Sequence, residues 1–304
     1  MISVIVCTYN PNPIYLERTI FGIYNQNFKD FELIIIDNNS HEPVSDFKYL
    51  LDYPSIKVFK ELKQGLTAAR WAGAKLAKGD ILVYVDDDNI LNFNYLSVAN
   101  KTMHENPQIG MLSGQIFPEY EEAPPGWFTK YEGMLALRSF SSGMSLVLTD
   151  FPIFNNDFPI GAGMITRRRI IEDYYKNHLN DDSNYIEGRK GNELSSSEDL
   201  DYGFYNLSKG YLIGRNSELI ITHIIPKLRL KMDYLIKLST SALKSSYFVN
   251  LKWKKIFQVD VLPIFKKSRL ELMIRVLFYK LSMKENAILN KKYYSELYKL
   301  KYKS

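Results

Sequence analysis

Ile81-Leu82-Val83-Tyr84-Val85-Asp86-Asp87-Asp88-Asn89 is an apolar run that stops on three consecutive carboxylates. Its first five residues read as a strand buried on both faces, the pattern of a parallel sheet. Three adjacent carboxylates at a strand's C-terminal end repel one another unless a cation sits among them. Hard divalent metals such as Mg²⁺ or Mn²⁺ take oxygen ligands and bridge to substrate phosphates. In open α/β sheets, ligands bind at the carboxyl ends of the strands. The stretch therefore points to a metal–diphosphate site, with Asp88 as metal ligand and Asp86 and Asp87 sharing that task or holding a ribose. A solvated acidic turn is the alternative.

Upstream, the same pattern repeats. Strands are predicted at Ile2 to Cys7, Phe31 to Ile36 and Ile56 to Phe59, with helices at Tyr15 to Asn25 and Thr67 to Ala77 between them. Right-handed crossovers place the loops after these strands on one edge of the sheet. Thr8-Tyr9-Asn10, Asp37-Asn38-Asn39-Ser40 and the acidic triplet then converge. Further on, Pro118 to Trp127 reads as an acidic, Pro-rich loop and Asp181 to Ser197 as a mobile polar one, and acceptor choice is expected to lie in Pro118 to Lys130 and in the 181–197 loop. A helix is predicted from Leu200 to Lys209, capped by Ser196 or Ser197, followed by short strands at Tyr211 to Gly214 and Leu219 to Thr222.

The formal net charge of +5 hides an asymmetry. Residues 226–304 hold 19 Lys or Arg against 5 Asp or Glu, while residues 1–225 hold 20 against 29. An acidic body with a basic helical tail is the organisation implied, with domains at 1–225 and 226–304. The tail reads either as a helical cap, as a surface for an anionic membrane leaflet, or as a site of oligomerisation. Its charge also suits nucleic acid, but no recognised binding module supports that, so no nucleic-acid partner is expected. The chain lacks a signal-type apolar segment and any run of 18 apolar residues. Together with the single Cys7, read as inert core, this leads to a cytoplasmic placement, peripheral on the inner face of the cell membrane.

A second carboxylate pair, Glu198-Asp199, opens the helix after the long polar loop. Carboxylates there stabilise the helix dipole. They also suit general-base chemistry, with Asp199 removing a proton from an acceptor hydroxyl and Glu198 orienting it or touching the acceptor. Arg70 is either a surface cation or one that reaches a diphosphate or base, and Lys63-Gln64-Gly65 before it suits an anion at a helix N-terminus. His223 is either structural or completes a metal shell, whereas His41, His104 and His178 lack companion ligands and zinc spacing is absent. Gly161-Ala162-Gly163 lacks the context of a dinucleotide fingerprint and instead suits close approach of backbone to a ligand.

The ordered set Val4-Ile-Val-Cys-Thr-Tyr-Asn10, Phe31-Glu-Leu-Ile-Ile-Ile-Asp-Asn-Asn-Ser40, Gly65-Leu-Thr-Ala-Ala-Arg70, Lys78 to Asp88, Ser197-Glu-Asp-Leu-Asp-Tyr202 and Thr222-His223 resembles family 2 glycosyltransferases, over residues 1 to about 225. The resemblance implies a GT-A fold: a Rossmann-like, mainly parallel sheet flanked by helices, here with the basic C-terminal extension. It implies an inverting transferase of the bacterial surface-polysaccharide type, using a nucleotide-sugar donor, a glycan or lipid-linked acceptor and Mn²⁺ or Mg²⁺. Thr8, Tyr9 and Asp37 would cradle the nucleoside, with Arg70 near the base and diphosphate. Asp86, Asp87 and Asp88 would form the DxD-type element, Asp199 the base and His223 a third metal contact. Asn38 stands where many relatives carry a second acid that reads uracil; its amide still bonds a base, and a UDP-sugar is expected. Two other readings are a nucleotidyltransferase, which needs a Gly-rich cationic loop after the first strand where this chain has Thr8-Tyr-Asn-Pro-Asn-Pro13, and a non-catalytic nucleotide-sugar-binding protein, against which Glu198-Asp199 argues.

Overall fold

In the computed structural model the described residues are 1–147, 152–179, 188–189, 194, 196–282 and 287–302. Most of the polar segment from Asp181 to Ser197, expected as a mobile loop, lies outside them. Nine strands form one sheet: β1 (Ile2–Thr8), β2 (Phe31–Asp37), β3 (Lys57–Lys60), β4 (Ile81–Asp86), β5 (Asn89–Leu91), β6 (Ile109–Tyr120), β7 (Met144–Val147), β8 (Ile165–Arg167) and β9 (Leu212–Ile225). The helices are α1 (Pro13–Tyr24), α2 (Leu66–Leu76), α3 (Tyr95–Glu105), α4 (Arg168–Leu179), α5 (Glu198–Ser208), α6 (Met232–Phe257), α7 (Arg269–Leu281) and α8 (Ala287–Tyr302).

The strand order is β3-β2-β1-β4-β8-β6-β9-β5, with β7 against β9. The first four strands are parallel, as their apolar runs predict; β8, β7 and β5 pair antiparallel, so the sheet as a whole is mixed. Alternation along β1 divides the core. Val4 and Val6 join Leu16, Ile20 and Leu96 on one face, while Ile5 joins Ala69, Leu82 and Trp253 on the other. Burial of each Val, Leu or Ile side chain among them contributes about 1.5–3 kcal/mol.

Register fixes the edge of interest. Thr8 pairs with Asp37 and Cys7 with Asp86, so the ends of β1, β2 and β4 lie side by side. Short β5 then pairs Asn89 with His223 of β9, which sets the imidazole against the acidic triplet.

Three local expectations are corrected. The two short strands after Gly210 are a single strand, β9, because the polar Arg215–Glu218 stretch is absorbed by an irregularity opposite Ser113 and Gln115. At Gly114 a β-carbon would sit 1.9 Å from the Leu219 carbonyl oxygen, so only glycine allows that crossing. Ser197 precedes α5 but its side chain makes no cap; with φ of 115° it turns instead to Ser246 of α6 at 3.0 Å. Glu119 at the end of β6 and Glu121 just beyond it are not a free acidic loop: Arg18 forks Glu119 at 2.6 and 2.8 Å, and Tyr15 donates to Glu121.

The tail is helical and packed on the body. Asp201 of α5, fully buried, accepts from the Trp253 indole at 2.6 Å, from Lys252 Nζ at 2.9 Å and from the Tyr174 hydroxyl at 2.9 Å. A buried charge without partners costs several kcal/mol, so these donors are what allow a carboxylate there.

Candidate active site

The acidic triplet sits at the end of β4 as its strand context requires, and each carboxylate has a different neighbour. Asp86 faces Arg70 Nη2 at 4.0 Å. Asp87 accepts a hydrogen bond from the Thr8 hydroxyl, tying β1 to the triplet. Asp88 lies 3.0 Å from Arg229 and 3.4 Å from His223 Nε2. Desolvation, then the charge of Asp88, pushes the Asp87 carboxyl up to about 7, against the pull of Thr8. Burial also works to raise Asp88, but His223 and Arg229 outweigh it and hold that group below the usual range.

Arg70 is the hinge of the arrangement. It is buried on α2, and besides Asp86 it bonds Glu198 Oε1 at 3.0 Å and the Gly161 carbonyl at 3.4 Å. The two carboxylate clusters, far apart in sequence, therefore share one guanidinium. Gly161 makes room for it, since a β-carbon there would lie 2.6 Å from Nη2. The close approach foreseen at Gly161 is thus made by Arg70 in this structure. Beside it, Gly161 N donates to Asp199 Oδ2 at 2.9 Å and fixes the half-buried carboxylate at the start of α5. Burial raises the Glu198 carboxyl despite Arg70, and its Oε2 has no partner among the described residues.

The remaining predicted residues take other duties. Asp37 accepts from Ser40 N at 2.8 Å and Val44 N at 3.1 Å, closing its own loop. The Asn38 amide donates to the carbonyls of Glu61 and Lys63 at 3.2 and 2.8 Å and accepts from Gly65 N at 2.7 Å. Both side chains brace the walls of the cleft. Leu66 N is taken by the Arg189 carbonyl at 2.8 Å, so this N-terminal amide, like that of Gly65, is already bonded and the anion turn foreseen at Lys63-Gln64-Gly65 is not open at these two groups. Tyr9 packs its ring 6.2 Å from that of His41, a histidine the sequence left without a role. Asn10 and Ser40 stitch the two loops, through Asn10 N to Ser40 at 2.9 Å and His41 N to Asn10 at 2.8 Å.

Asp86, Asp88 and His223, expected as a metal set, do not close into a shell. Among the described residues no three acidic, His or Cys groups gather to hold a metal; Asp86 faces Arg70 at 4.0 Å and Asp88 lies 3.0 Å from Arg229. The donor chemistry still fits a hard divalent cation: carboxylates, one imidazole, and a His223 Nδ1 that is buried without a partner among the described residues. Arg229 escaped the sequence reading. It sits in a basic run two residues after Lys227, and only the fold brings it to Asp88 and, at 3.1 Å, to His223.

Compared with known proteins, the profile of the glycosyl transferase family 2 matches residues 3–175, more than half the chain. The chain belongs to glycosyl transferase family 2. This family 2 chain is 33% identical over 111 residues to the cholesterol galactosyltransferase of Borreliella burgdorferi, covering 36% of this chain and 31% of that one. It is 34% identical over 96 residues to the poly(ribitol-phosphate) β-N-acetylglucosaminyltransferase TarP of Staphylococcus aureus, covering 30% and 29%. The chain thus spans about a third of the length of these relatives. In fold it is similar to residues 1–349 of S. aureus TarS, crystallised in complex with UDP, with a TM-score of 0.54 at 16% identity over 99% of this chain and 90% of that one. The architecture is that of the GT-A glycosyltransferases, with a helical C-terminal region.

Proposed function

We propose that this protein is an inverting glycosyltransferase that moves a sugar from a nucleoside-diphosphate donor, preferentially a UDP-sugar, to a hydroxyl of a glycan or lipid-linked glycan. The observation that carries the reading is Arg70, which joins the donor-side carboxylate Asp86 at 4.0 Å to Glu198, beside the base, at 3.0 Å. That geometry supports a reading in which nucleophile activation and leaving-group binding share one cleft.

In this reading the nucleoside lies against the loops of Thr8, Tyr9, Asp37 and Asn38, and the diphosphate lies at the triplet. The UDP bound by a protein of the same fold supports a uridine donor. When bound, Mn²⁺ or Mg²⁺ held by Asp88 and His223 with Asp86 or Asp87 would offset charge on the diphosphate as a Lewis acid. Arg70 and Arg229 add cationic charge at the same end. Asp199, oriented by Gly161 N, removes the acceptor hydroxyl's proton as that oxygen attacks the anomeric carbon. The bond from that carbon to the diphosphate oxygen breaks with its electron pair leaving on the diphosphate, and attack from the opposite face inverts the configuration.

The test is a screen of nucleotide sugars for hydrolysis and transfer, with and without Mn²⁺, on the wild type and Asp199→Asn. One UDP-sugar is expected to turn over. The variant is expected to bind it within about twofold of wild type while transferring it about 10²–10⁴ times more slowly. Normal transfer by Asp199→Asn removes the base assignment, and exclusive use of a GDP- or dTDP-sugar removes the uridine donor.

A further inference from the structure

Helix α7 has two unlike faces. Its inner side is buried against α8: Leu272 is fully covered, Arg275 bonds the Tyr294 hydroxyl at 3.2 Å, and Tyr279 stacks on Tyr294. Its outer side carries Leu270, Met273, Ile274, Leu277 and Phe278, which are 67, 51, 58, 56 and 62% exposed. These positions follow the i, i+3, i+4, i+7, i+8 spacing and at 100° per residue make a band about 140° wide. Single exposed apolar residues are ordinary; five in one continuous stripe are not.

Charge decides what covers the stripe. Arg269 and Lys280 are exposed along one edge of the band, and Lys266, Lys291 and Lys292 are further exposed cations in the same helical region. Residues 226–304 as a whole hold 19 cations against 5 anions. A second copy docked stripe to stripe would press like charges together. An anionic bilayer surface meets both demands, taking the apolar band at the level of the acyl chains and the cations at the headgroups. No helix among the described residues is long and apolar enough to cross a membrane, so the contact is one that lies on the surface.

We infer that the outer face of α7 is a membrane-docking surface selective for anionic lipid, with Leu277 and Phe278 at its C-terminal end. This concerns where the chain sits and does not depend on the sugar-transfer reading. Leu277 and Phe278 are more than half exposed, so Leu277→Asp/Phe278→Asp leaves the core untouched and should keep its melting temperature.

The test is co-flotation of the full chain with vesicles of phosphatidylcholine alone or with about one-third phosphatidylglycerol. Binding is expected on the anionic vesicles at low salt, at least tenfold weaker on neutral ones and in high salt, and at least tenfold weaker for the folded double variant. Absence of wild-type binding to anionic vesicles overturns the inference, as does a folded double variant that floats like wild type. A wild-type dimer in analytical ultracentrifugation that the double variant abolishes also overturns it, assigning the face to a second copy.

Discussion

At the pole proposed to bind the donor, carboxylates stand on the ends of parallel strands and are aligned by sheet register, with Arg229 and His223 arriving from β9 and the turn after it. At the pole proposed to take the acceptor, Asp199 stands at the start of a helix packed across the sheet, where Tyr202 bonds Thr166 of β8 at 2.5 Å. There α5 is anchored from beneath by α6, through Lys252 and Trp253 to Asp201 and through Ser245 to the Ser196 carbonyl. The first pole is positioned by backbone ladders, the second by side-chain packing and a few buried polar bonds. The donor pole should therefore tolerate loss of one side chain better than the acceptor pole, and Arg70 belongs to both.

The sharpest way to break that comparison is Arg70→Met, which removes the shared cation. It leaves Glu198 as a buried carboxylate without its counter-ion and is expected to cost about 3–5 kcal/mol. The pH dependence has a definite sign. Burial already raises the Glu198 carboxyl in the native protein, with Arg70 opposing. Without Arg70 the folded state favours the protonated acid still more, so the destabilisation grows as pH rises above the ordinary carboxylate range and shrinks on acidification. Urea titrations of both proteins at pH 5 and pH 8 check this; an equal deficit at both would show that Glu198 is not the group left uncompensated.

Lys252→Met tests the anchor alone. With Trp253 and Tyr174 still bonded to Asp201, the loss should fall near the lower end of the buried-pair range, about 3 kcal/mol. Donor binding should stay within about twofold while transfer drops, because the helix bearing Asp199 loosens and the strand ends do not. Parallel loss of donor binding would erase the distinction between the poles.

Gly161→Ala sharpens it from the middle. The added methyl meets the far end of Arg70, so the guanidinium must shift, at about 1–3 kcal/mol. Transfer and donor binding should both weaken, measured as kcat/KM together with UDP affinity. The smallest effect is expected from Ser245→Ala, about 1 kcal/mol for one neutral hydrogen bond. It should raise the acceptor KM and leave UDP binding unchanged by calorimetry.

What was legible in the sequence follows the same division. The ends of β1, β2 and β4 could be placed because each depends on an apolar run and a polar stop a few residues long. The long strand β9 was not, because a polar stretch inside it imitates a loop unless the irregularity opposite Ser113 is known. Arg229 and Lys252 looked like any other cations of a basic tail. Lys252 meets an acid 51 residues away, and Arg70 meets Glu198 across 128 residues. Such pairings are set by the finished fold and leave no local periodicity. Asp37 and Asn38 show the converse: their positions were legible, but their bonds to neighbouring backbone were not.

The indole of Trp253 is buried, with its N–H on the Asp201 carboxylate, directly beneath the helix that carries Asp199. Indole emission responds to the charge and solvent around the ring. The chain has three tryptophans, so a protein with the other two replaced by phenylalanine would carry a single indole, excited apart from the tyrosines, at the root of the proposed acceptor pole. Its spectrum would report, in real time and without a label, whether that helix is seated while substrates come and go.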